Sequence, residues 1–155
     1  MQEAEQSLGY YRGPPKAVLR AIDRAGLSQA VLEIDAGGVD ALYDFVEART
    51  ADRPALADEN RVVRHGKFRI GRFKWGPFSS ALPIEGDNLP KLIALVEPPE
   101  ILLWELNVRD DEGYLLQAPG VGNNEIWVSE RLGAQAVKAI RDALGPGLRP
   151  PEAFA

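Results

Sequence analysis

Cysteine is absent from the 155 residues, and histidine occurs once, as His65. Without thiols there is no disulfide framework, zinc ribbon, thiolate nucleophile or iron–sulfur centre. One histidine leaves no multi-histidine metal site and no pair of imidazoles for acid–base work. Long apolar runs are missing too. The richest, residues 101–106, is interrupted by Glu105 and falls far short of the ~18–20 residues a bilayer span requires. The first residues carry Glu3 and Glu5, the opposite of a basic-then-apolar leader. The expected setting is therefore the cytoplasm, with no membrane partner. An excess of positive charge is also lacking: 18 bases stand against 23 acids, a net charge of −5. That excludes a whole-domain electrostatic grip on nucleic acid.

What is present suits a globular core, since 45% of the residues are hydrophobic and 26% charged. The length fits one domain of ordinary size. Residues 1–13 read as a flexible N-terminal arm, 14–145 as a single α+β domain, and 146–155 as a flexible proline-rich tail. Pro14 and Pro15 open a first helix carrying Val18, Leu19 and Ile22, with Gly26 as its stop. Ala30, Leu32 and Ile34 alternate with Val31, Glu33 and Asp35 as a half-buried strand, which the Gly37-Gly38 pair is expected to end. A second helix covers about 39–49.

The period then changes to two. Residues 61–84 read as a three-stranded meander, with a His65-Gly66 turn and a bulge at Gly71 where the alternation flips. Pro83 marks the last of these strands as an edge. Asp87 or Asn88 starts a third helix. A strand at 101–108 puts Leu102, Trp104, Leu106 and Val108 on one face. Asp110 to Gly113 and 119–124 are turns between further strands, and Ser129 is expected to cap a last helix that stops at Gly145-Pro146.

The order αβα-βββα-βββα indicates an α+β fold: a mainly antiparallel sheet, meander plus hairpin strands, packed with about four helices. The core order α-βββ-α-ββ-α, the small size and the acidity resemble type III secretion chaperone-like folds. The likeness lies in element order, covers no motif and implies no functional residue.

Charge is the sharpest feature. Arg61, Arg64, Lys67, Arg69, Arg72 and Lys74 fall between residues 60 and 84 with no acid among them, whereas residues 85–130 hold two bases and ten acids. The basic stretch also carries Phe68, Phe73, Trp75 and Phe78. Bases interleaved with aromatics suit a protein interface rich in arginine and aromatic anchors, or a single nucleic-acid strand whose bases stack on aromatic rings. The same alternation also describes an ordinary half-buried hairpin, with its aromatics in the core and its bases solvated. The candidate binding residues are Arg61, Arg64, Lys67, Arg69, Arg72, Lys74 and Trp75.

No pattern designates a catalytic residue, a metal ligand or a cofactor site. His65 lies among cations at a turn and reads as solvent-exposed. Asp110-Asp111-Glu112-Gly113 lacks the alternating ligand spacing of a calcium loop and reads as a hairpin turn. Glu97, Glu100 and Glu105 would serve acid–base chemistry only beside a second carboxylate at a known separation. The G-x-G at 120–122 meets no helix N-terminus, so it is a loop. Ser79-Ser80 lies in no nucleophile elbow. The aromatic Tyr10-Tyr11 pair docks on the fold or meets a partner.

The expected function is a non-catalytic protein-binding module of inhibitor, immunity-type, chaperone-like or adaptor kind. It would use the basic, aromatic hairpin region and the acidic second half, with self-association into a homodimer as a variant. Single-stranded nucleic-acid binding through the same basic face is the alternative. A small hydrolase or transferase centred on His65 is the third reading.

Overall fold

A computed structural model describes residues 2–38, 41–62, 76–99 and 101–151. Eight strands form one sheet: β1 (Gln6–Arg12), β2 (Ala30–Gly38), β3 (Arg61–Val62), β4 (Gly76–Ile84), β5 (Leu102–Arg109), β6 (Tyr114–Ala118), β7 (Asn123–Val128) and β8 (Leu148–Arg149). They lie in the order β3-β4-β2-β5-β6-β7-β1-β8, and neighbouring strands run antiparallel throughout. The helices are α1 (Pro15–Arg24), α2 (Ala41–Thr50), the single turn α3 (Pro54–Ala57), α4 (Asn88–Leu95) and α5 (Ala134–Leu144). The α+β class with an antiparallel sheet is therefore as expected. None of these helices is long and apolar enough to cross a membrane.

Alternation along the central strands explains how the layers form. Ala30, Leu32, Ile34 and Ala36 of β2 point to one side and are almost fully buried. Leu106 and Val108 of β5 stand opposite Ile34 and Leu32. The apolar stripes of α1 (Val18, Leu19, Ile22), α2 (Leu42, Val46), α4 (Leu89, Leu92) and α5 (Ala136, Ile140, Leu144) join the same cluster. The four longer helices thus cover one face of the sheet, where burial removes apolar surface from water. Pro15 stands in the first turn of α1, where a missing N–H costs nothing. Lys16 pins that helix to the end of α4 by donating to the carbonyls of Glu97 and Pro98.

Several local expectations are corrected. Residues read as an N-terminal arm contain β1, which lies inside the sheet between β7 and β8. A register shift between Ser7 and Gly9 hides its alternation, and Leu8 and Tyr11 are buried. The proline-rich tail likewise contains β8, after a 3-10 turn at Gly145–Gly147. The Gly37-Gly38 pair lies within β2 and forms its last two residues. Ser129 caps a short 3-10 turn, accepting from the Arg131 N–H, and α5 begins only after Gly133. Pro83 stands past the reach of β3, where β4 has a described partner only in β2. That is where a strand tolerates proline. Gly71, His65-Gly66 and the middle of the expected meander lie outside the described residues.

The expected face of β5 is also corrected. Asp35 pairs with Glu105 but Ala36 pairs with Leu103, leaving Trp104 as an extra residue. The bulge inverts parity on its far side. Leu103 then enters the core, while Leu102 is 53% and Trp104 42% exposed. A second shift lies between β5 and β6, where Val108 pairs with Leu116 but Arg109 with Tyr114. It turns Tyr114 away from the core face that Leu116 and Ala118 occupy. Both bulges therefore deliver an aromatic side chain to the face that the longer helices leave.

Candidate functional site

That second face is built from the residues alternating with the core. β2 supplies Glu33 and Asp35, β5 supplies Glu105, Asn107 and Arg109, β4 supplies Ser79 and β6 supplies Tyr114. In register, Glu33 faces Asn107, and Asp35 lies between Glu105 on one neighbour and Ser79 on the other. All of these but Arg109, together with Ser80 and with Glu59 and Arg61 at the rim, line a pocket of about 330 Å³.

One half of the pocket is fully committed. Arg109, largely buried, pairs with both Glu33 and Glu59. Burial works against its charge, but the hydrogen bonds it donates to Glu59 and Glu33 outweigh that and raise its pKa. The Tyr114 hydroxyl donates to the other Glu33 oxygen at 2.9 Å. Burial, reinforced by the Glu33 carboxylate, pushes the Tyr114 pKa up to about 12, so the phenol remains a donor near neutral pH.

The other half is uncommitted. Among the described residues no cation lies within ion-pair distance of Asp35 or Glu105. Burial raises the Glu105 pKa, and the charges of Asp35 and Glu33 add to the rise. The Asn107 amide, donating to Glu105 Oε1 at 3.2 Å, pulls the other way. Asn107 itself is 8% exposed, and its Oδ1 is a buried acceptor with no partner. Such atoms are rare in folded proteins because desolvation is then uncompensated.

Beside this pocket stands the Trp104 ring. A Cβ placed on Gly37 would come within 2.8 Å of its Cη2 and Cζ2 atoms, so the ring lies over the Gly37 backbone. The absent side chain admits the indole, which is why β2 carries glycine there. The Trp104 carbonyl is held by the Val121 N–H at 3.0 Å, anchoring the bulge to the 119–122 loop. That loop also accepts the Gly13 N–H at Gly122, and it behaves as the packing loop expected.

Of the residues expected to bind, Arg61 is placed at the rim of the pocket. Arg64, Lys67, Arg69, Arg72, Lys74 and Trp75 lie outside the described residues, as does His65. The acidic second half is not one continuous patch. Glu85 pairs with Arg53, Asp87 with Lys91, Glu97 with Arg20, and Asp110 and Glu112 with Arg131. The Asp110 side chain also accepts from the N–H groups of Glu112 and Gly113, forming the expected turn. Gly113 there has a φ of 150°.

Tyr11 is buried and donates to the Pro14 carbonyl, while Tyr10 bonds Asn123, so the aromatic pair docks on the fold. Ser80 is buried and donates to Asn60. Glu105 has the second carboxylate that sequence left unidentified, namely Asp35. Sequence reasoning missed the pocket's other members, although Glu33, Asp35, Glu105, Asn107 and Arg109 alternate with core residues in two strands. That density of ionisable groups on one strand face was the available signal. No family model matches this chain, and neither a curated protein nor a solved structure matches it.

Proposed function

We propose that the protein is a non-catalytic protein-binding module, working in the cytoplasm, whose second sheet face engages a basic partner. The observation that carries this reading is the placement of exposed Trp104 and Leu102 beside Asp35 and Glu105, two acids without a cation among the described residues. Interfaces concentrate their binding energy in aromatic anchors ringed by polar groups, and complementary charge fixes the register. Among the described residues the pocket's four acids outnumber Arg61 in its lining and Arg109 beside it, so this part of the face favours a cationic partner and disfavours phosphate. It thereby weighs against nucleic acid on the described part of the surface. Inhibitor, immunity-type, chaperone-like and adaptor roles all share this mode of action.

The test is capture of a partner by the intact protein and by W104A and D35N/E105Q variants. The expected result is a basic partner retained by the parent protein, lost with W104A, and released as salt rises. A partner held equally by all three proteins overturns the assignment of this face. The basic stretch is a proposed second contact, checked by replacing Arg64, Lys67, Arg69 and Arg72 with alanine. Weaker capture would include it. If the partner is a second copy of this chain, light scattering will report a dimer that the same substitutions dissociate.

A further inference from the structure

The uncommitted half of the pocket has a one-sided hydrogen-bonding inventory. Three nearby donors are already used: the Tyr114 hydroxyl on Glu33, the Arg109 guanidinium on Glu33 and Glu59, and the Asn107 amide nitrogen on Glu105. Beside the Ser79 hydroxyl and the Arg61 guanidinium, which also line the pocket, what remains is acceptors. Among the described residues Asp35 has no cation, Glu105 has only the Asn107 amide and the Asp35 carboxyl as side-chain partners, and the buried Asn107 Oδ1 accepts nothing. Two carboxylates facing each other across neighbouring strands repel. Only a cation or a proton relieves such a pair.

We propose that the acceptors of Asp35, Glu105 and the Asn107 amide oxygen form a subsite for a guanidinium group, supplied by an arginine side chain of the partner. The inference rests on the protein-binding reading above and specifies what enters the pocket. Three features select guanidinium over other cations. Its planar fork carries five N–H donors and no acceptor, which matches acceptors spread over two strands. The Trp104 indole, on the residue before Glu105 and over Gly37 two places from Asp35, offers a face on which a guanidinium stacks. Among the described residues, no cluster of three acidic, histidine or cysteine side chains is arranged to hold a metal ion.

The experiment titrates the intact protein with N-acetyl-arginine amide, N-acetyl-lysine amide and N-acetyl-citrulline amide. Binding is followed by the Asn107 side-chain amide resonances and by tryptophan fluorescence. The arginine compound should bind saturably. The uncharged citrulline isostere should bind at least about tenfold more weakly, the scale of losing a charge-assisted hydrogen bond. D35N/E105Q should weaken arginine binding by at least about tenfold, and since it removes a repulsion it should not unfold the protein. W104A should weaken arginine more than lysine.

Equal binding of arginine and citrulline, or indifference to D35N/E105Q, overturns the subsite. So does calcium chloride reproducing the same resonance shifts, which would make it a metal site. If W104A abolishes partner capture while D35N/E105Q leaves both capture and arginine binding unchanged, the subsite fails and the interface stands. If arginine amide binds as expected but neither variant changes partner capture, the interface fails and the partner is not the source of the guanidinium.

Discussion

The two faces of β2 and β5 are made by the same two strands yet follow opposite rules. On the helix-covered face, Leu32, Ile34, Leu106 and Val108 are apolar and closed to water. On the other, Glu33, Asp35, Glu105, Asn107 and Arg109 occupy the intervening positions and place like charges opposite one another. The first arrangement stabilises the fold. The second works against stability at Asp35 and Glu105, and natural sequences keep such conflicts where a ligand resolves them. The difference shows that a strand's period specifies two surfaces at once, only one of which is needed for folding.

Substitutions on the two faces should separate these roles. The largest effect belongs to the covered face: Leu106→Ala removes a fully buried side chain and should cost about 2–5 kcal/mol in chemical denaturation. A cost below that of Arg109→Ala would break the contrast. Arg109→Ala leaves Glu33 and Glu59 without their shared cation. Because the site is partly open, the loss should be about 1–3 kcal/mol, less than for a fully buried pair.

Glu105→Gln should act in the opposite direction. A carboxyl whose pKa is raised by folding contributes stability below its unfolded value, ~4.3, and loses it as pH rises through the folded value. Near neutral pH the variant should therefore be more stable than the parent by about 0.2–1 kcal/mol. The advantage should vanish in acid, and thermal melts at several pH values will measure it. A variant equally stable at every pH would remove the repulsion from this face. Lys138→Ala breaks an exposed pair with Asp142 on α5 and should leave the melting midpoint unmoved, as surface ion pairs usually do.

Most of the helices and the alternation of β2 were legible in sequence, because the 3.6- and 2-residue periods are carried by many side chains. Proline at the start of α1 and Gly145 after α5 marked real boundaries. The bulges were not legible. Trp104 is apolar and stands in an apolar run, so alternation assigns it to the core. Only its register against Asp35 and Ala36, a long-range property, turns it outward. Tyr114 was concealed in the same way. β1 was misread because the glycine and proline flanking its aromatics look like a loop and its partners lie far along the chain. Asp35 and Glu105 were visible as strand residues, but their pairing needs the strand order.

The place of β1 between β7 and β8 also sets a timetable. Tyr10 and Asn123 stand 113 positions apart, yet they hold each other by a hydrogen bond. During synthesis β1 emerges well before β7 and then waits for it to be made, with Leu8 and Tyr11 uncovered. Contacts of such separation slow folding, because the closure of a long loop precedes any gain. β2, β4 and β5, with their helices, have all their mutual partners much sooner. Assembly is therefore staged: the half of the sheet bearing the acidic pocket can form on the ribosome before the half that closes the fold.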